Sequence, residues 1–319
     1  MTPTLHPILH RLFEAQAVDA DRIMRGLKAS APTLPFWLFY DERGSELFRQ
    51  ITMTPEYYLT RTEKQILLQY GAEIASVVGS NKHWIEPGAG CCDKARLILK
   101  HARAQSFNAI DVSEAALMAS AETLQKEHPM LAIQLFVANF DHQLSAVIDK
   151  LPAGECVVFY PGSSIGNFAP EEAIVWLAKL RELAGNNGQL LLGFDCPKDP
   201  AALEAAYNDG DGVTERFHLN VLAHLQSLGF QVNAQRFSHV AKFNAEESRI
   251  EMRLQVSETT EIRFKDDSVE FVAGQDILTE YSYKYSLAVF QSLAVKAGWR
   301  LTHSWQDERQ YFCVVRFIV

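Results

Sequence analysis

The chain has 319 residues and a formal net charge of −9; 48% of its residues are hydrophobic, 22% are charged, and glycine and proline number 17 and 12. That balance excludes collagen-like, low-complexity and disordered classes. The length exceeds what one core holds, roughly 250–300 residues, so two folded units are expected. An acidic chain lacks the basic footprint that phosphate backbones need, so no nucleic-acid partner is expected.

The cysteines are Cys91, Cys92, Cys156, Cys196 and Cys313. Their odd number and the lack of a C-x-x-C pair predict neither a disulfide framework nor a metal site. The first residues lack the apolar core of a signal peptide, and no apolar run approaches the ~18–20 residues of a membrane span. A soluble cytoplasmic protein with no membrane association is expected.

In chain order, His83–Glu86 reads as a short strand running into Gly88-Ala-Gly90, and Lys94–Ala102 has helical spacing. Ser106–Asp111 is a second strand with an acid at its end. Ser113 is an N-cap opening an alanine-rich helix. Ala132–Asn139 is a third strand and Cys156–Tyr160 a fourth, followed by the turn formers Pro161-Gly162. Pro170 starts a helix at the first-turn position where proline is welcome. Gln189–Asp195 is a fifth strand.

Such alternation predicts a parallel sheet with helices on both faces. Ligands bind outside the carboxyl ends of the strands in these sheets. Glu86, Asp111, Asn139, Ser163, Asn167 and Asp195 are therefore the first suspects. Beyond Asp195, residues 201–208 and 212–228 read as helices. From Gln231 to Phe271, QVNAQRFSHV, SRIEMRLQV, TEIRF and VEFV suggest an antiparallel meander with one wet face. A helix over 285–298 and two closing strands would complete a seven-stranded sheet. The expected organisation is a parallel-sheet domain at 60–199 and 282–319, interrupted by an α+β insert at 200–281 with which residues 8–59 pack.

The segment from Glu86 to Asp93, EPGAGCCD, lies between the first strand and its helix. Two glycines let the backbone turn tightly and approach a ligand. Dinucleotide folds place a third glycine where this chain has Asp93, which would repel a pyrophosphate. S-adenosylmethionine carries a sulfonium, an ammonium and a carboxylate but no phosphate, so Glu86 is tolerable there. Asp111 can accept from both ribose hydroxyls. These residues favour S-adenosylmethionine over a nicotinamide dinucleotide, against the plainer reading of a tight strand–helix turn with no ligand.

Further segments are PEYYLTRTE at 55–63, PGSSIGNF at 161–168, AYND at 206–209 and LTEYSYK at 278–284. With these the chain resembles the histidine-specific methyltransferases that use S-adenosylmethionine, the L-histidine Nα-methyltransferases of ergothioneine biosynthesis. The resemblance runs from about residue 34 to the C-terminus. It implies a Rossmann-like, seven-stranded class I methyltransferase sheet with an inserted substrate-binding domain. It also implies conversion of L-histidine to hercynine by three methylations of the α-amine. Gly88, Lys94, Asp111, Asn139 and Phe140 would line the cofactor site, with Phe48 at its border. Tyr57, Asn167 and Tyr207 would bind the amino-acid backbone, and Tyr40 would lie near the α-amine. Glu280 and Ser282 would hold the imidazole, and Met252 would wall the pocket.

This chain departs from the family's usual pattern at Cys91-Cys92, where Ser or Thr follows the glycine loop, and at Asn139, commonly Asp. An asparagine carbonyl can still accept from the adenine amine. Taken singly, most of these side chains have plainer roles: Tyr57 as packing, Asn167 as a turn residue, Met252 as core, Glu280 as a solvated charge, and Cys91 and Cys92 as small packing residues. His239 reads as structural. A related substrate such as tryptophan or a thiohistidine, and a silent sensor of the same ligands, are the competing readings. A monomer with no partner beyond its small molecules is expected.

Overall fold

The computed structural model describes residues 5–12 and 20–319, without the side chains of 140–142. In chain order the elements are β1 (Ile8–Arg11), α1 (Ala20–Leu27), α2 (Glu42–Ile51), α3 (Tyr58–Val78), β2 (His83–Pro87), α4 (Asp93–Leu99), β3 (Ser106–Asp111), α5 (Glu114–Glu127), β4 (Ala132–Val137), α6 (Phe140–Ile148), β5 (Cys156–Tyr160), α7 (Pro170–Ala184) and β6 (Gln189–Asp195). There follow α8 (Pro200–Ala206), α9 (Val213–Ser227), β7 (Phe237–Asn244), β8 (Arg249–Val256), β9 (Thr260–Phe264), β10 (Asp267–Phe271), β11 (Asp276–Tyr283), α10 (Leu287–Lys296), β12 (Arg300–Gln306) and β13 (Phe312–Ile318). Short 3₁₀ turns cover Phe36–Phe39, Ser164–Asn167 and Ala234–Arg236.

The chain divides into two units. The first takes in residues 5–12, Thr62–Cys196 and Tyr285–Val319; the second takes in residues 20–61 and Pro197–Lys284. An eight-stranded sheet in the order β1-β4-β3-β2-β5-β6-β13-β12 forms the first. Neighbours from β1 to β6 pair in parallel, whereas β13 runs antiparallel to β6 and β12 to β13. Every residue of β2, β5 and β6 is buried, because helices cover a parallel sheet on both faces and its strands become continuous apolar runs. Against it, α5 packs on β3 and β4, and α7 on β5 and β6. Ser113 caps α5 by accepting from the Ala116 amide, and Pro170 opens α7.

The expected seven strands are all present, and β1 adds an eighth at the edge. Ile8–Arg11 pairs with Gln134–Val137 of β4, so these residues belong to the sheet and not, as their position before the insert suggests, to the second unit. Strand order reverses between β2 and β5, which makes the crevice outside their carboxyl ends the switch point where such sheets bind ligands. The glycine loop follows β2, and the turn carrying Asn167 follows β5.

In the second unit the single meander resolves into a three-stranded sheet, β11-β8-β7, and a separate hairpin of β9 and β10. QVNAQRF does not start as a strand: Asn233 accepts from the Gln235 amide and bends residues 234–236 into a 3₁₀ turn before β7. No helix of the described residues is long and apolar enough to cross a membrane.

Candidate functional site

In the first unit the glycine loop closes on Asp111. Gly88 and Gly90 have φ of 68° and 50°, in the left-handed region that glycine enters freely. A Cβ added to either would meet nothing within 4 Å, so the loop faces open space. Asp111 Oδ2 accepts from the Gly90 amide at 2.9 Å, and Oδ1 from the Ser113 amide at 2.9 Å. Both oxygens keep lone pairs for a ligand. Burial raises its pKa, against the pull of those backbone amides.

Glu86 is buried at the end of β2, and its Oε2 has no hydrogen-bond partner. Burial pushes its carboxyl well above the ordinary range; the charge of Lys94 opposes this, while Glu63, Asp111 and Asp93 add to it. A buried carboxyl oxygen with no partner beside an open glycine loop is an unsatisfied polar atom. The ammonium of S-adenosylmethionine is a group that would satisfy it, so the residues present fit that cofactor.

Lys94, near the start of α4, does not point freely into the crevice. Its Nζ lies 2.5 Å from the buried carboxylate of Glu63 on α3. Glu63 also accepts from the Gly162 amide, 3.0 Å from each carboxylate oxygen. The carboxylate thus ties α3, α4 and the turn after β5 together. Asn139 follows β4, its backbone amide donating to Gln143 Oε1, and Asn167 ends the 3₁₀ turn after β5; both are half-buried. Phe140 opens α6, and its side chain lies outside the described residues. Cys92 is buried and left-handed at φ 52°, but Cys91 is exposed, so the packing role expected of both fits Cys92 alone.

The second unit brings the remaining candidates together. Tyr40 and Phe48 meet edge-on at 5.9 Å, Phe48 and Tyr57 at 6.2 Å, and Tyr57 and Tyr207 at 6.1 Å between ring centres. Phe48, expected at the cofactor's border, stands within this row. At its end the Tyr207 hydroxyl lies 2.6 Å from Ser282 Oγ, and Lys284 Nζ donates to Ser282 Oγ at 2.8 Å and to the Tyr207 hydroxyl at 3.0 Å.

Glu280 and Ser282 share a face of β11, and a bulge decides which. Ile277 pairs with Leu254 of β8, so plain alternation would put Thr279 and Tyr281 on the buried face. The register shifts between Leu278 and Glu280, leaving Thr279 as the extra residue. Glu280 then stands opposite Met252, and Ser282 opposite Ile250, both buried core residues. Directly opposed side chains share a face with Cβ atoms about 5 Å apart. Tyr281 and Tyr283 take the opposite face of the strand, where the Arg249 guanidinium lies over Tyr281, 3.9 Å from the ring centre, and Tyr283 is buried. A bulge of this kind re-aims side chains.

Glu63 and Lys284 escape notice in the sequence, although both stand in quoted segments, PEYYLTRTE and LTEYSYK. A charge at a motif's end reads as solvated until a fold buries it. The two relative side-chain exposures are the surprise: Glu63 is 1% exposed and Lys284 2%.

The family described as histidine-specific methyltransferase, SAM-dependent, matches residues 19–318. The histidine N-alpha-methyltransferase of Mycolicibacterium smegmatis is 36% identical over 315 residues, covering 96% of each chain. That of Mycobacterium tuberculosis is 36% identical over 294 residues, covering 90% of each. Ergothioneine biosynthesis protein 1 of Neurospora crassa is 34% identical over 194 residues, 59% of this chain and 22% of that one. The chain belongs to the histidine-specific, S-adenosylmethionine-dependent methyltransferase family.

Proposed function

We propose that this histidine-specific methyltransferase transfers methyl groups to the α-amine of L-histidine, three in succession, giving hercynine for ergothioneine biosynthesis. The observation that carries the reading is the family's match from residue 19 to 318, which takes in the described cores of both units. S-adenosylmethionine supplies a methyl group activated by its sulfonium.

In this reading the first unit holds the cofactor. Gly88 leaves room for it, Asp111 accepts from its ribose hydroxyls, and Glu86 faces its ammonium. Asn139 accepts from the adenine amine. Lys94 acts at one remove, fixed by Glu63, and keeps the end of the glycine loop in register with the Gly162 turn.

The second unit holds the amino acid. Tyr57 and Tyr207 meet the amino-acid backbone: the Tyr57 hydroxyl can donate to the substrate carboxylate, while the Tyr207 hydroxyl donates to Ser282 Oγ. Asn167 offers an amide donor and an acceptor to the carboxylate or amine. Tyr40 accepts from the α-amine and helps orient its lone pair. Displacement at a sulfonium methyl is in-line and needs a neutral amine about 3 Å away, so these residues act by positioning. The Glu280 carboxylate accepts from one imidazole N–H. Because Lys284 donates to Ser282 Oγ, that hydroxyl is best used as a donor, which suits the unprotonated ring nitrogen. The pair thereby selects a neutral imidazole, and Met252 limits the room for an indole.

Competition among free amino acids with labelled S-adenosylmethionine tests the reading. Label is expected on histidine in preference to tryptophan, 2-thiohistidine and the remaining amino acids. Preference for any other amino acid, or cofactor binding without turnover, contradicts it.

A further inference from the structure

A run of hydrogen bonds crosses the second unit through His218, His239 and Thr279, side chains that no ligand role uses. Thr279 Oγ1 donates to the Met252 carbonyl at 2.9 Å, and His218 Nε2 lies 2.6 Å from Thr279 Oγ1. His218 Nδ1 lies 2.6 Å from His239 Nδ1, and His239 Nε2 lies 2.9 Å from the Tyr207 carbonyl. The two rings cross edge-on, with centroids 4.8 Å apart. His218 is fully buried.

Both ends of this run are carbonyl oxygens, which only accept. Between them lie four contacts, whereas one threonine hydroxyl and two neutral imidazoles bring three protons. The run is complete only when the histidine pair carries one further proton between its Nδ1 atoms. Thr279 has committed its hydrogen to Met252, so only a proton on His218 Nε2 satisfies the next contact. In a neutral pair the shortfall therefore falls on the His239 side.

We infer that His218, backed by His239, positions the amino-acid site by pinning the Thr279 bulge that turns Glu280 and Ser282 towards Met252. The run ties the bulge to β8 at one end and holds the backbone of Tyr207 at the other. It thus links the ring-binding pair, the pocket wall and a backbone-binding tyrosine. The inference rests on the placement of the imidazole at Glu280 and Ser282.

The groups packed around the pair are mostly uncharged. The Phe36–Phe39 turn presents Phe39, 5.5 Å from the His218 ring; β8 presents the Met252 carbonyl, β11 Thr279, and the end of α8 the Tyr207 carbonyl. Glu215 on α9 and Asp209 before it carry the charges that act on His239. Burial lowers the proton affinity of His239 against the Tyr207 carbonyl, Glu215 and Asp209, and lowers that of His218 well below the ordinary value, with His239 adding to the effect. Both shifts are downward, so the further proton enters only in acid. At neutral pH the bulge stays tied by His218 Nε2–H while the His239 side is one proton short.

The test uses the full-length enzyme and the variants His218→Leu, His218→Gln, Thr279→Val and Glu280→Gln. Readouts are the histidine KM, kcat and calorimetric affinity for S-adenosylmethionine. Losing the His218 hydrogen bond to the bulge in His218→Leu, and that bond together with the one to Met252 in Thr279→Val, should raise the histidine KM about tenfold or more, with kcat and cofactor affinity held within about threefold. A glutamine amide reaches the Nε2 position, so His218→Gln should keep its KM within about threefold of the native value. Nitrogen NMR of the labelled native enzyme should show His218 protonated at Nε2 alone at neutral pH, and a single proton entering the pair in acid. That measurement stands even where a variant fails to fold. A native KM in His218→Leu or Thr279→Val beside an impaired Glu280→Gln overturns the inference. So do two histidines titrating independently at ordinary values. An unimpaired Glu280→Gln removes the ring placement itself, and the inference with it.

Discussion

Glu63 and Lys94 form an ion pair in which the carboxylate is buried, and the same carboxylate accepts from the amide of Gly162. One side chain on α3 thus fixes the first turn of α4 and the turn that leads to Asn167. Removing one partner leaves a charge in a poorly solvated place, which costs about 3 kcal/mol. Glu63→Leu should lower stability by about that amount and weaken cofactor binding. Replacing both, Glu63→Leu with Lys94→Met, should recover part of the loss. A double-mutant cycle in urea checks the coupling.

Gly193 on β6 makes the same pair sterically exacting. A Cβ there would lie 2.1 Å from Glu63 Oε1 and 2.8 Å from a ring carbon of Phe312. Neither neighbour sits at the free end of a flexible surface chain. Gly193→Ala should therefore destabilise the enzyme by about 2 kcal/mol, read as a lower urea midpoint.

Asp111 and Glu280 should separate the two ligands. Asp111→Ala removes the acceptor for the ribose hydroxyls and the brace of the Gly90 amide. The dissociation constant for S-adenosylmethionine should rise about 10- to 100-fold, with the histidine KM at saturating cofactor little changed. Glu280→Ala should do the reverse. It should cost up to about 10⁴-fold in kcat/KM for histidine while cofactor affinity holds. Calorimetry with each ligand checks the pair; equal loss of cofactor affinity in both variants would contradict the assignment.

Glu86 sets a pH dependence whose sign is fixed by burial. Its pKa in the folded chain is raised, so between the unfolded and folded values the native state holds the extra proton. Stability must then fall as pH rises through that interval, because the unfolded carboxyl ionises freely and the buried one does not. Glu86→Gln should melt at a higher temperature than the native chain near neutral pH, with the gap closing below about pH 4, where both forms are protonated. The same variant should bind S-adenosylmethionine more weakly. Thermal melts across pH, with and without cofactor, test both halves.

Much of the first unit was legible because burial on two faces writes itself as continuous apolar runs, as in CVVFY and QLLLGFD, and because Ser113 and Pro170 mark helix starts by local chemistry. β1 was not legible. Four residues, ILHR, become a strand only by pairing with Gln134–Val137, more than a hundred residues later. In the second unit, spacing alone put Glu280 and Ser282 on one face but could not say which. Their face depends on a one-residue register shift at Thr279, and the side chain that pins it, His218, comes from α9. Glu63 and Lys284 stayed hidden because a charge earns a buried place only through partners that the linear sequence does not bring near.

The most direct measurement incubates the enzyme with S-adenosylmethionine and L-histidine and follows the products by mass spectrometry with fragmentation. The account predicts mono-, di- and then trimethylhistidine, every methyl group on the α-nitrogen and hercynine as the end point. Unmodified histidine throughout, or methyl groups on the imidazole ring, would contradict it.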